Sequence, residues 1–171
     1  MKGSLNIKFG IGAGLINCIA WYALSRSYTY YEVAAIDKYR LLITIILLVA
    51  GIFLAIFFDK KDNNGFLTFK AGFKTGMLYV FLLAILLAVF NYLYYKFIAP
   101  DAIDFYVSEA KKQVMEAKMK PEDLPKFEEA VRSYFSSFKM FMSVVIMGVV
   151  ISLVAAGILQ KKPPTVPFSE N

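Results

Sequence analysis

Between Leu41 and Phe58 the chain runs for 18 residues in which Thr44 is the only side chain with a strong polar group. A hydrocarbon core of about 30 Å is crossed by about 20 mostly apolar residues at roughly 1.5 Å each. With no water in lipid to satisfy the backbone, such a run must fold as a helix. Three more stretches meet the same requirement. The first covers about Ile7 to Leu24, with Lys8 at its lip and Asn17 inside. The third covers about Met77 to Phe97, with Asn91 and Lys96 towards its far end. The fourth covers about Met140 to Leu159. The expected architecture is an all-α integral membrane protein, a single membrane domain over residues 1–171. Four transmembrane helices form a bundle, and an extramembrane helical hairpin at about 101–138 joins the third to the fourth.

Composition points the same way. Hydrophobic residues make up 58% of the chain and charged residues 19%, against roughly 45–50% and ~25% in soluble proteins. Mean hydropathy is +0.56. Disorder is excluded, because unfolded chains are poor in apolar residues. A disulfide framework is excluded by the single cysteine, Cys18. Histidine is absent, which removes histidine-ligated haem and zinc and every histidine-based triad. No cofactor or metal site is expected. The first stretch follows Lys2 and Lys8 as a signal peptide would, but it exceeds the ~7–15 residues of a signal core. It reads as an uncleaved helix.

The net charge of +6 reads as lipid contact and orientation rather than nucleic-acid binding. Four spans put both termini and the second loop on one face. That face carries Lys2, Lys8, Lys60, Lys61, Lys70, Lys74, Lys161 and Lys162 against Asp59, Asp62 and Glu170, a net +5. The opposite face nets +1. Positive residues stay inside, so both termini are expected to be cytoplasmic. Trp21, Tyr22, Tyr28, Tyr30 and Tyr31 cluster at the exit of the first span, and Tyr92, Tyr94 and Tyr95 at the exit of the third. They read as an aromatic belt at headgroup depth.

Ala99-Pro100-Asp101 stops the third helix and restarts the chain. Ile103, Val107, Ala110, Val114 and Ala117 then recur at helical spacing. Asp101 can cap this helix, and Asp104 suits its first turn. Glu116 and Lys120 form an i,i+4 pair. Pro121 ends the helix and Pro125 opens the next. Phe127, Val131, Tyr134 and Phe138 form a second apolar face, with Glu128 and Arg132 paired at i,i+4. No breaker separates this helix from the fourth span, so one long helix is expected to enter the membrane. The two apolar faces pack on each other or on the membrane surface; the alternative is a groove for a partner helix.

Small residues let membrane helices approach closely. Gly10 and Gly14 stand four apart in the first span, Gly72 and Gly76 at the start of the third helix, and Gly148, Ser152 and Ala156 in the fourth span. These read as packing stripes, mainly within the chain, with homo-oligomerisation as the alternative. Asn17 and Asn91 are the strongly polar residues well inside spans, and their amides can bond across helices. Phe66, Phe69 and Phe73 beside Lys70 and Lys74, after Lys60 and Lys61, read as a headgroup-layer segment turned by Asn63-Asn64-Gly65. Lys60, Lys61, Lys70 and Lys74 are the candidate lipid contacts.

No span carries an ionisable residue near its centre. Such residues mark ion and proton pathways, so a coupled transporter is disfavoured. One cysteine cannot exchange a disulfide internally, and without histidine an intramembrane metalloprotease lacks its usual ligands. The chain therefore reads as non-enzymatic.

The stretch Phe66-Leu67-Thr68-Phe69-Lys70-Ala71-Gly72-Phe73-Lys74-Thr75-Gly76 resembles the segment leading into the third span of the domain-of-unknown-function 4199 family. Asn91-Tyr92-Leu93-Tyr94-Tyr95 and Pro100-Asp101 are similar to that family's third-span exit. The Lys- and Glu-rich hairpin and the terminal Lys161-Lys162 fit its layout. The resemblance implies a small four-span protein of a Gram-negative bacterial cytoplasmic (inner) membrane. It brings no activity, cofactor or catalytic residue.

Three functions fit these observations. The first is a non-enzymatic protein that binds or scaffolds a protein partner, through the hairpin at 101–138 or the spans. The second is a small transporter or channel acting as an oligomer. The third is a lipid-binding or lipid-handling protein.

Overall fold

The computed structural model describes residues 4–27, 33–116 and 123–162. They form α1 (Ser4–Ser27), α2 (Val33–Asp62), α3 (Phe69–Leu93), α4 (Ala102–Glu116), α5 (Leu124–Tyr134) and α6 (Ser137–Leu159). A π-helical turn at Tyr94–Ile98 extends α3. Among the described residues, three stretches are long and apolar enough to cross a membrane: Tyr39–Asp62, Phe69–Ile98 and Ser137–Leu159. They contain the second, third and fourth expected spans and mark a multi-pass membrane protein. Among the described residues, α1 is not one of these three. Large apolar side chains such as Ile46, Ile85, Ile146 and Val150 face outward, as lipid-facing residues do.

α3 is the hub, packed against α1, α2 and α6. Its face towards α6 is made by small residues. Gly72 meets Ala156, Gly76 meets Ser152, and Val80 fills the hollow at Gly148. These rungs descend on one helix as they ascend on the other, so the helices run antiparallel. A Cβ at Gly76 would lie 2.7 Å from the Ser152 hydroxyl oxygen. On another face of α3, Gly10 meets Leu82 and Gly14 meets Leu86, so α1 runs parallel to α3. α2 contributes Leu48, Ile52 and Ile56 to the common core, beside Tyr79, Leu83 and Leu87 of α3.

At one end of the bundle, Leu67 and Lys161 exchange backbone hydrogen bonds of 2.8 Å each, joining the α2–α3 turn to the end of α6. The turn uses positive φ at Asn64 and Gly65, and the Thr68 hydroxyl accepts from Ala71 N–H to cap α3. Phe66 precedes that helix, so only Phe69 and Phe73 of the expected aromatic trio share it; their rings stack.

The other end departs from expectation in three places. α5 and α6 are separate helices: α5 ends at Tyr134 with Phe135 as its C-cap, and Ser136 is extended. Phe135 is buried among the rings of Tyr95 and Tyr106, and its seating there competes successfully with continuing the helix. Glu128 and Arg132 do not pair with each other. Glu128 takes Lys111 at 2.6 Å and Arg132 takes Asp104 at 2.7 Å, both across to α4. Trp21 is buried rather than belted, packed against Phe90 and Tyr94 with the Arg40 guanidinium 4.5 Å from its ring centre. The expected pair Glu116–Lys120 and the belt residues Tyr28, Tyr30 and Tyr31 lie outside the residues whose side chains are described.

Candidate functional site

The π turn and the α5–α6 break enclose a cleft of about 360 Å³ at the exit end of α3. Asn91 is its buried base. Its side-chain amide donates to the Phe135 carbonyl at 2.9 Å and to the Ser137 hydroxyl at 3.0 Å. Breaking a helix frees backbone carbonyls, and a buried unpaired carbonyl is costly. Asn91 answers that need.

One wall comes from α3 and its π turn, with Tyr92, Tyr95 and Lys96. Single-turn π-helical bulges are frequent at functional sites; this one closes with Ala99 N–H donating to the Tyr94 carbonyl at 2.9 Å. The Lys96 ammonium donates to the Tyr92 hydroxyl at 2.9 Å and lies 5.1 Å from that ring's centre. Among the described residues no carboxylate pairs with it. Ile103 of α4 and Arg132 of α5 also line the cleft. Arg132 is held by Asp104, and both side chains are exposed. Ser136 and Ser137 complete the rim; the Ser136 side chain makes no capping bond to the first turn of α6. The cleft therefore brings two cations, aromatic hydroxyls and serine hydroxyls together with apolar surface from Ile103 and Phe135. Such a lining can bind an anion that carries an apolar body.

The expected site residues divide among three places. Asn91 lies in the cleft. Asn17 is buried elsewhere, donating to the Thr44 hydroxyl at 3.0 Å across α1 and α2; Thr44 in turn donates to the Arg40 carbonyl at 2.9 Å. Gly10, Gly14, Gly72, Gly76, Gly148, Ser152 and Ala156 lie in the helix contacts. Lys60, Lys61, Lys70 and Lys74 sit at the opposite end of α3 from the cleft and do not line it. Among the described residues no group of three or more His, Cys, Asp or Glu side chains could hold a metal ion.

Sequence reasoning missed Arg132 and Phe135 as cleft residues. The run of serines at Ser133, Ser136 and Ser137 around two aromatics was the available sign of a helix break, since serine favours caps and turns.

The family model described as a protein of unknown function, DUF4199, matches residues 8–161. The chain belongs to the DUF4199 family. No curated protein and no solved structure matches it. The DUF4199 match begins within α1, covers the other five helices and ends at Lys161, the residue that bridges to Leu67. Both ends of the bundle, including the cleft, thus lie within the DUF4199 region.

Proposed function

We propose that this DUF4199 protein is a non-enzymatic lipid-binding protein of the bacterial cytoplasmic membrane, with α1 as a fourth span and both termini cytoplasmic. The observation that carries the lipid reading is the position of the cleft. It opens where α3 leaves the apolar part of the bundle, with lysine, arginine and tyrosine side chains in the zone such residues occupy beside headgroups. The four-span reading rests on α1 following α3 in parallel, from Gly10 at Leu82 through Gly14 at Leu86 to Trp21 at Phe90 and Tyr94. A helix that accompanies a span for this length shares its depth. The +5 against +1 charge split supports a periplasmic position for the cleft.

The protein-partner reading receives less support. Val107 and Val114 of α4 are buried and α4 packs against α5, so the α4 face is covered within the chain; of the second expected face, Tyr134 and Phe138 stay exposed. Native mass spectrometry of the protein extracted from bacterial membranes in mild detergent tests the lipid reading. Discrete adducts of phospholipid mass are expected. Bare protein alone, under conditions that preserve lipid on a control membrane protein, contradicts it.

A further inference from the structure

We infer that the cleft binds a phosphate group between Lys96 and Arg132, with Asp104 as a built-in competitor for the arginine. The inference rests on the lipid-binding reading and names the chemistry of the headgroup. Lys96, from the π turn, and Arg132, from α5, line the same cleft. Lys96 spends its ammonium on a neutral tyrosine hydroxyl and aromatic faces, which leaves its charge unneutralised. Arg132 has one carboxylate partner, and that pair is exposed, with half or more of each side chain open to solvent. Exposed ion pairs are weak. A phosphate offers the guanidinium a bidentate acceptor of at least equal quality, and offers Lys96 an anion it otherwise lacks. The Asn91 amide holds the Phe135 and Ser137 side of the cleft.

Three substitutions follow, and they do not share a sign. Lys96→Gln and Arg132→Gln each remove a charge that grips phosphate. Asp104→Asn removes the competitor while keeping its shape. All three side chains are exposed, so the fold does not depend on them. The test uses the full chain in detergent, titrated by native mass spectrometry with phosphatidylglycerol, with diacylglycerol of the same chains, and with inorganic phosphate. Phosphatidylglycerol is expected to bind at least about ten-fold tighter than diacylglycerol, and Lys96→Gln and Arg132→Gln each to weaken it by about ten-fold. Asp104→Asn is expected to tighten it by about two- to five-fold. Equal binding of phosphatidylglycerol and diacylglycerol overturns the phosphate site while leaving a lipid site standing. Weaker or unchanged binding in Asp104→Asn overturns the competitor role. If inorganic phosphate binds with the same three responses and no lipid is retained, the phosphate site holds and the lipid-binding reading fails.

Discussion

The ring of Tyr79 occupies the hollow left by the missing side chain of Gly51. A Cβ built on Gly51 would collide with the hydroxyl oxygen and Cζ of Tyr79. The Tyr79 hydroxyl passes over α2 to donate to the Leu47 carbonyl at 2.7 Å. α2 and α3 are therefore keyed together by a fully buried tyrosine and a glycine that no other residue can replace without moving the ring. Gly51→Ala should lower the thermal midpoint in detergent. Gly157→Ala should not, because a Cβ at Gly157 meets nothing within 4 Å. Tyr79→Phe keeps the ring and loses one buried hydrogen bond, at a cost of about 1 kcal/mol.

The ladder between α3 and α6 gives a second test by melting. Gly148→Leu would drive a side chain into Val80 and should destabilise the bundle more than Leu153→Ala, which trims an exposed residue. Equal midpoints for the wild type and Gly148→Leu would refute the packed stripe. Ser152→Ala should be neutral or mildly stabilising. The Ser152 hydroxyl is buried without a hydrogen-bond partner, and removing an unsatisfied polar group relieves its desolvation cost.

Asn91 supports the break between α5 and α6 from a position 44 residues away. Asn91→Leu leaves the Phe135 carbonyl without this donor and should cost about 1–3 kcal/mol. Hydrogen exchange locates the effect. Amides from Phe135 to Phe138 should exchange faster in the variant, while those around Leu83 in the middle of α3 keep their protection. Uniformly faster exchange would mean that Asn91 has no local role at the break.

Topology is tested with reporter fusions. Both termini and the Asn63-Asn64-Gly65 turn are expected in the cytoplasm and the Lys120-Pro121 segment in the periplasm, from the charge split between the two faces. An alkaline phosphatase fusion at Lys120 should be active and one at Lys162 inactive. The reverse pattern would invert the molecule.

Residue spacing made the bundle legible. The lone Thr44 in an apolar run, and the four-residue steps of Gly148, Ser152 and Ala156, each report a periodicity that needs no tertiary knowledge. The cleft was illegible for the opposite reason. The serines around Phe135 are the one local sign of a break; neither glycine nor proline is present there, and the break is held by Asn91 and by the rings of Tyr95 and Tyr106. Arg132 was similarly hidden. Its i,i+4 neighbour Glu128 is the partner that spacing suggests, but packing α4 on α5 brings Asp104 to Arg132 and Lys111 to Glu128. Choices of that kind are made between elements and leave little trace within them.

The central claim is that lipid headgroups are held at the cleft, and a headgroup-labelled photoreactive phosphatidylglycerol tests it most directly. The full chain is reconstituted with the labelled lipid, irradiated and digested, and the modified peptides are mapped. Cross-links concentrated in Tyr92–Lys96 and Arg132–Ser137, and competed by unlabelled phosphatidylglycerol, are the predicted result. Cross-links confined to the Lys60–Lys74 segment, or spread evenly over both bundle ends, would contradict it.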